Sequence, residues 1–186
     1  MSPTDVFIWS LLGYAVYPVW LLTGMADFVT HQRTHIASTS GVRESLLHVA
    51  QMVQNGVPVL VVLFLEINAL TLTVLAVLVL VHTLTAYVDI NYTSSRRAIG
   101  PPEQLAHAVL IGLPILAWVL LLLVGRADAG AMGEWSVSLR ATPCDLWVVL
   151  TVLSGGALFS VAPTLAELWQ TWRFARRETV EASAVG

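Results

Sequence analysis

Three pairs of side chains in this sequence repeat one spacing. Asp27 precedes His31 by four residues, Glu44 precedes His48 by four, and Glu103 precedes His107 by four. His82 and Asp89 lie seven apart. On an α-helix both spacings put the two side chains on one face, one or two turns apart. Carboxylate and imidazole presented together bind divalent metal ions or pass protons. Without thiolate, such a donor set suits iron, manganese or zinc, and histidine with open positions suits Fe(II) and oxygen. The lone Cys144 can form neither an internal disulfide nor a thiolate cage. All five histidines, His35 included, fall in or beside this set.

The elements that carry these residues are membrane spans. The 186 residues are 56% hydrophobic and only 11% charged, with a mean hydropathy of +0.76, whereas a soluble domain carries roughly 25% charged residues. The sequence therefore predicts an all-α integral membrane bundle, residues 1–178 as one domain and residues 179–186 as a disordered tail. No basic face or run suggests a nucleic-acid partner. Met1 to Asp5 lacks the positive region of a signal peptide, so the first apolar segment is expected to be retained.

A span needs roughly 20 apolar residues, and five segments supply them. The first runs from Val6 to about Asp27, continuing as helix to about His35. The second runs from Val42 to Glu66 and the third from Leu70 to Tyr92. The fourth opens at Pro101-Pro102, as proline suits a helix's first turn, and ends near Val124. The fifth follows a capping-box pattern at Thr142-Pro-Cys-Asp145 and ends about Arg177.

Arginine placement then predicts topology. Arg33, Arg43, Arg96, Arg97, Arg173, Arg176 and Arg177 share one side, against Arg126 and Arg140 on the other. The N-terminus is expected outside and the C-terminus in the cytoplasm. Asp27, His31, Glu44, His48, His82, Asp89, Glu103 and His107 then meet at one depth, two from each of four helices. Ionisable groups inside a membrane are costly and pair, relay protons or bind metal. Acid and imidazole ligands projecting inward from four helices are how bundles hold two metal ions. The expectation is a two-metal centre in which most of these eight are ligands, with one or two orienting an imidazole instead.

His35 is a weaker candidate, since it rotates off the Asp27 face. Glu66 is excluded, being roughly 27 Å from His48 along a straight helix, and reads as a capping or pairing group. Glu167 is a further candidate, although a structural role or a pairing with Arg173 fits it better. Arg96 and Arg97 read as ordinary residues of the positive side.

The strings Thr39-Ser-Gly-Val-Arg-Glu-Ser-Leu-Leu-His48, Leu63-Phe-Leu-Glu-Ile-Asn-Ala-Leu70, Pro102-Glu-Gln-Leu-Ala-His107 and Leu165-Ala-Glu-Leu-Trp169 resemble a family of small bacterial integral membrane proteins without an established activity. The family is sometimes labelled diguanylate cyclase, a label that the lack of a soluble nucleotide-binding block here does not support. The resemblance covers residues 25 to 175 and implies a bacterial inner (plasma) membrane. More loosely, His31-Gln-Arg-Thr-His35 is similar to one histidine box of the membrane di-iron hydroxylases and desaturases, which bind two irons on the cytosolic side. The paired His-His boxes of those enzymes are absent, so carboxylates would replace imidazoles here.

The functional expectation is a membrane di-metal protein, iron before zinc or manganese, acting as an oxygen-dependent oxidoreductase on a lipid or other hydrophobic small molecule with an electron donor. The alternatives are a di-zinc membrane hydrolase, in which metal-bound water is the nucleophile, a non-enzymatic metal or proton carrier, and a structural protein with a metal staple. No motif singles out a catalytic residue.

Overall fold

In the computed structural model, which describes residues 2–126 and 130–185, five helices are long and apolar enough to cross a membrane. They are α1 (Pro3–Arg33), α2 (Gly41–Phe64), α3 (Ala69–Ser94), α4 (Pro101–Arg126) and α5 (Leu146–Ser183). No strand occurs among the described residues; a single antiparallel bridge joins Leu65 to Leu139. The chain is an all-α membrane bundle.

Local sequence sets the helix ends. Ser2 and Asp5 form a capping box at the start of α1, with Pro3 in its first turn. Asn68 and Thr71 do the same for α3. The α1–α2 turn reverses at His35, whose φ of 56° is left-handed, and Gly41 opens α2 with φ 68°. A left-handed residue just past the last turn is a common helix stop. α5 starts at Leu146, with the Asp145 side chain accepting from the Trp147 N–H at 2.7 Å. Thr142 is therefore not the cap, and Pro143 lies before the helix.

The far end of α5 also differs from expectation. Helix continues through Val185, past Arg177 and across most of the stretch 179–186 that the sequence reading leaves disordered. From Glu178 to Val185 no glycine or proline interrupts it.

Helix neighbours close into a ring: α1 packs on α4, α4 on α3, α3 on α2, α2 on α5 and α5 back on α1. Small residues permit the last contact, as is usual where lipid offers no hydrophobic drive. A methyl group at Gly155 would meet Leu21 at 3.2 Å, and the Tyr17 hydroxyl donates to the Val152 carbonyl at 2.5 Å. Two π-helical turns interrupt this pair, Leu12–Val16 in α1 and Ala157–Val161 in α5.

The two ends of the ring differ. At one end Leu72, Leu75 and Leu121 make an apolar plug with Trp9 and Trp118 packed against it. There the α4–α5 loop is tied down: the Ala141 N–H donates to Glu66 Oε1 at 2.5 Å and Arg140 Nη1 to the Val62 carbonyl at 2.8 Å. Glu66 thus has the pairing role expected of it. The opposite, arginine-rich end is filled with acids and imidazoles.

Candidate metal centre

Each helix delivers its ionisable residues from the turns nearest the arginine-rich end. Asp27 and His31 come from the last turns of α1 and Asp89 from near the end of α3. Glu44 and Glu103 lie in the first turns of α2 and α4, with His48 and His107 one turn further on. An acid in a helix's first turn also faces the positive end of the helix dipole. Glu167 arrives from α5. All five carboxylates are buried, Glu44 and Glu103 completely.

Glu167 organises the imidazoles. Its Oε2 lies 2.9 Å from His31 Nδ1 and its Oε1 2.6 Å from His48 Nδ1. The two rings stack in parallel, 4.6 Å between centroids with 3° between planes. With each Nδ1–H donated to one carboxylate, both Nε2 lone pairs are aimed away from Glu167. Such a partner fixes the tautomer and orientation of a metal-binding histidine and raises its basicity.

Around those Nε2 atoms the distances change character. His31 Nε2 lies 3.4 Å from Glu103 Oε1, 3.6 Å from Asp27 Oδ2 and 3.9 Å from Glu44 Oε1. His48 Nε2 lies 3.3 Å from Asp89 Oδ2 and 3.9 Å from Glu44 Oε1. His107 Nε2 lies 3.5 Å from Asp27 Oδ1. Hydrogen bonds between such atoms are usually about 2.7–3.2 Å. Two atoms each about 2.1 Å from one metal ion stand roughly 3.0–3.4 Å apart along the edge of an octahedron or tetrahedron; the 3.3 Å and 3.4 Å separations fall in that range and the others are longer. Asp27 Oδ1, His31 Nε2, Glu44 Oε2, His48 Nε2, Asp89 Oδ1 and His107 Nε2 are all buried without a hydrogen-bond partner among the described residues. Buried polar atoms are normally satisfied, and these carboxylates and imidazoles form groups that could hold a metal ion.

Four overlapping groups have donor atoms within 4.8 Å of one another: Asp27, His31 and His107; His31, His48 and Glu167; His31, Glu44 and Glu103; and Glu44, His48 and Asp89. His31 belongs to three of them and Glu44 to two. Gln51 steadies Asp89, donating to Oδ2 at 3.1 Å.

Arg97, from the α3–α4 loop, caps the cluster. Its Nη2 donates to Glu44 Oε1 at 2.7 Å and its Nη1 to Glu103 Oε2 at 2.8 Å. Burial works against its charge, but its hydrogen bonds to Glu103 and Glu44 outweigh this and raise its pKa, so it stays a guanidinium. Both Glu103 oxygens accept from Arg97; each carboxylate oxygen keeps a second lone pair.

Seven of the eight principal sequence candidates thus converge: Asp27, His31, Glu44, His48, Asp89, Glu103 and His107. His82 does not. It lies two turns from Asp89, roughly 10 Å deeper along α3. There its Nδ1 faces Asn55 Nδ2 at 3.2 Å and its Nε2 the Leu110 carbonyl at 3.4 Å. A shared helix face did not place the two at one depth. His35 is exposed at the reversal after α1, its side chain turned out by the left-handed backbone.

Two corrections enlarge the site. Glu167 belongs to it, not to Arg173, whose guanidinium lies over the Trp169 ring; the centre is therefore enclosed by five helices, not four. Arg97 is part of it too, not merely a residue of the positive side. No i, i+4 partner marks Glu167 in the sequence; its one signal is a lone acid in the apolar run Leu165–Trp169.

Beside the centre lies a cavity of about 90 Å³, lined by Asp27, His31, His48 and Glu167 at one end and by Asn55 and His82 at the other. Phe159 and Ser160, from the π-helical turn of α5, complete its wall; such turns recur at functional sites. Scans against protein-family models, curated proteins and solved structures return no match for this chain.

Proposed function

We propose that this protein holds two divalent metal ions, iron by preference, at the arginine-rich end of its bundle and is an oxygen-dependent oxidoreductase acting on a hydrophobic substrate. The observation that carries the reading is the convergence of four buried carboxylates on three imidazole Nε2 atoms at 3.3–3.9 Å, with two of the imidazoles oriented by a fifth carboxylate. Asp27, His31 and His107 would hold one ion, Glu44, His48 and Asp89 the other, with Glu44 shared and Glu103 beside it.

Charge supports the count of two. With neutral imidazoles, Asp27, Glu44, Asp89, Glu103 and Glu167 against Arg97 leave four negative charges. Two divalent cations neutralise them.

A donor set rich in carboxylate, with imidazole and no thiolate, favours iron or manganese over soft-ligand metals. The 90 Å³ cavity holds a diatomic molecule or a few waters but is far below the roughly 300 Å³ of a substrate pocket. Hydroxylation of a C–H bond by dioxygen, with water as coproduct, consumes two electrons and two protons. Two ferrous ions, held by these residues, would supply those electrons, and a one-electron donor would have to restore them. The arginine excess supports reading this end as the cytoplasmic one, where a soluble donor would reach it.

Elemental analysis of protein purified without chelators tests the reading, with two equivalents of metal per chain expected. Less than one equivalent, with no uptake of added Fe(II), would sink it. Two equivalents of zinc with no optical response to oxygen would favour hydrolysis.

The five histidines give a second test. His31→Ala, His48→Ala and His107→Ala are each expected to lose at least one equivalent. His35→Ala and His82→Ala should keep both, with His82→Ala costing stability alone, about 1–3 kcal/mol for the polar partner it abandons. Metal loss on His82→Ala to the level of His48→Ala would contradict the placement of the ions.

A further inference from the structure

Two exposed arginines share one aromatic ring at the arginine-rich end. Arg43, in the first turn of α2, lies over Tyr92 with its Cζ 4.6 Å from the ring centroid. Arg96, just past α3, lies over the same ring at 5.2 Å. The two guanidinium carbons therefore stand no further apart than those distances combined. Tyr92 is fixed in place, its hydroxyl donating to the Ser40 carbonyl at 2.9 Å in the α1–α2 turn.

Neither guanidinium has an ion pair or a hydrogen bond among the described residues. Arg97, the next residue, has Glu44 and Glu103. Glu44 and Asp89, the acids nearest to Arg43 and Arg96 on α2 and α3, are buried and turned to the centre. An exposed cation–π contact is weak and does not by itself draw two like charges together. Arg43 also sits where the α2 dipole is positive, and the Ser40 side chain makes no capping hydrogen bond there. Three positive features with no exposed acid among them fit one anion. Guanidinium forks suit phosphate above other anions of single charge.

Depth says where that phosphate comes from. Leu46, Val53 and Val57 continue the Arg43 face of α2, and Val88, Leu84 and Val81 continue the Tyr92 face of α3. All six are exposed, and the two helices pack side by side. In a membrane these stripes meet acyl chains, so the arginine pair at their end stands level with phospholipid headgroups. A choline or ethanolamine head would bring a third cation to the pair with no carboxylate to receive it. A glycerol head brings none.

We propose that Arg43, Arg96 and Tyr92 form a seat for one anionic phospholipid, its phosphate between the two guanidinium groups and its chains along α2 and α3. The seat is separate from the metal centre and does not depend on the two-metal reading. Because Arg43 adjoins Glu44 and Arg96 adjoins Arg97, the lipid fastens together the two segments that meet in the Arg97–Glu44 ion pair.

Native mass spectrometry of the full chain in detergent tests this, with phosphatidylglycerol and phosphatidylcholine of identical chains added together at equal concentration. One phosphatidylglycerol is expected to stay bound in preference to phosphatidylcholine. Arg43→Gln and Arg96→Gln should each cut that preference about 5-fold, the usual effect of one arginine at an anionic lipid surface, and the double variant should abolish it. Arg33→Gln and Arg176→Gln, at exposed arginines of the same end, should leave it intact. Excess glycerophosphoglycerol, the same head without chains, should displace nothing from the parent protein.

Equal retention of the two lipids by the parent protein would overturn the proposal, and that measurement needs no variant. So would a loss with Arg33→Gln or Arg176→Gln as large as with Arg43→Gln, which would make the preference one of general surface charge. Displacement by glycerophosphoglycerol or inorganic phosphate would make this a soluble-anion site and remove the lipid.

Discussion

Glu167→Gln is expected to empty most of the metal centre while leaving the bundle folded. One carboxylate accepts from both His31 Nδ1 and His48 Nδ1, and in the proposed centre these imidazoles would bind different ions. Losing such a partner costs about 10–100-fold in metal affinity for a single histidine. Here two histidines lose it together, so both ions should weaken by at least that factor. The amide can accept from only one imidazole through its oxygen, and its NH₂ group would force the other ring to present Nδ1 as acceptor and to turn Nε2–H toward the metal. Fe(II) titration of the purified variant, with thermal stability measured in parallel, checks this. A lower melting temperature with wild-type metal content would mean that Glu167 is only a structural ion-pair partner.

Arg97→Met is expected to be the most destabilising single change at this end of the molecule, and bound metal should partly repair it. The guanidinium pairs with Glu44 and Glu103, both wholly buried. Removing one partner from a buried ion pair strands the remaining charge and typically costs about 3–5 kcal/mol. Stability of the chelator-treated variant should fall by that order, and the deficit should shrink when Fe(II) is added, because a cation between the carboxylates replaces the lost charge. Adding Glu103→Gln to Arg97→Met should recover part of the stability without metal, leaving the share due to Glu44. If the single variant is as stable as the parent after chelation, Glu44 and Glu103 are not the ionised pair that the cluster requires.

The folding of the chain around this centre was largely written in local patterns. Hydropathy marked the five spans to within a few residues, apart from the far end of α5, because a lipid-exposed helix must be apolar over its whole length. Antiparallel hairpins then brought Asp27, Glu44, Asp89 and Glu103 to one end, since each sits in the turns next to a short connection on that side. The i, i+4 pairs of α1, α2 and α4 were legible for the same reason: four residues advance a helix by one turn and keep the face.

What the sequence could not settle was rotation and depth. His82 shares a face with Asp89, but seven residues carry it about 10 Å inward, and it ended on Asn55 and Leu110. His35 depended on a left-handed reversal that no pattern announced. Glu167 has no partner on its own helix; only the closure of α5 onto α1 and α2 turns a lone acid into the clamp of two imidazoles. Arg97 looked like any positive-side arginine until the α3–α4 loop folded it inward.

Local sequence therefore decided which residues are spans and which carry acid or imidazole, because periodicity and hydropathy act within one helix. The tertiary structure alone decided which of those groups face each other, because that is set by how five helices rotate when they close a ring.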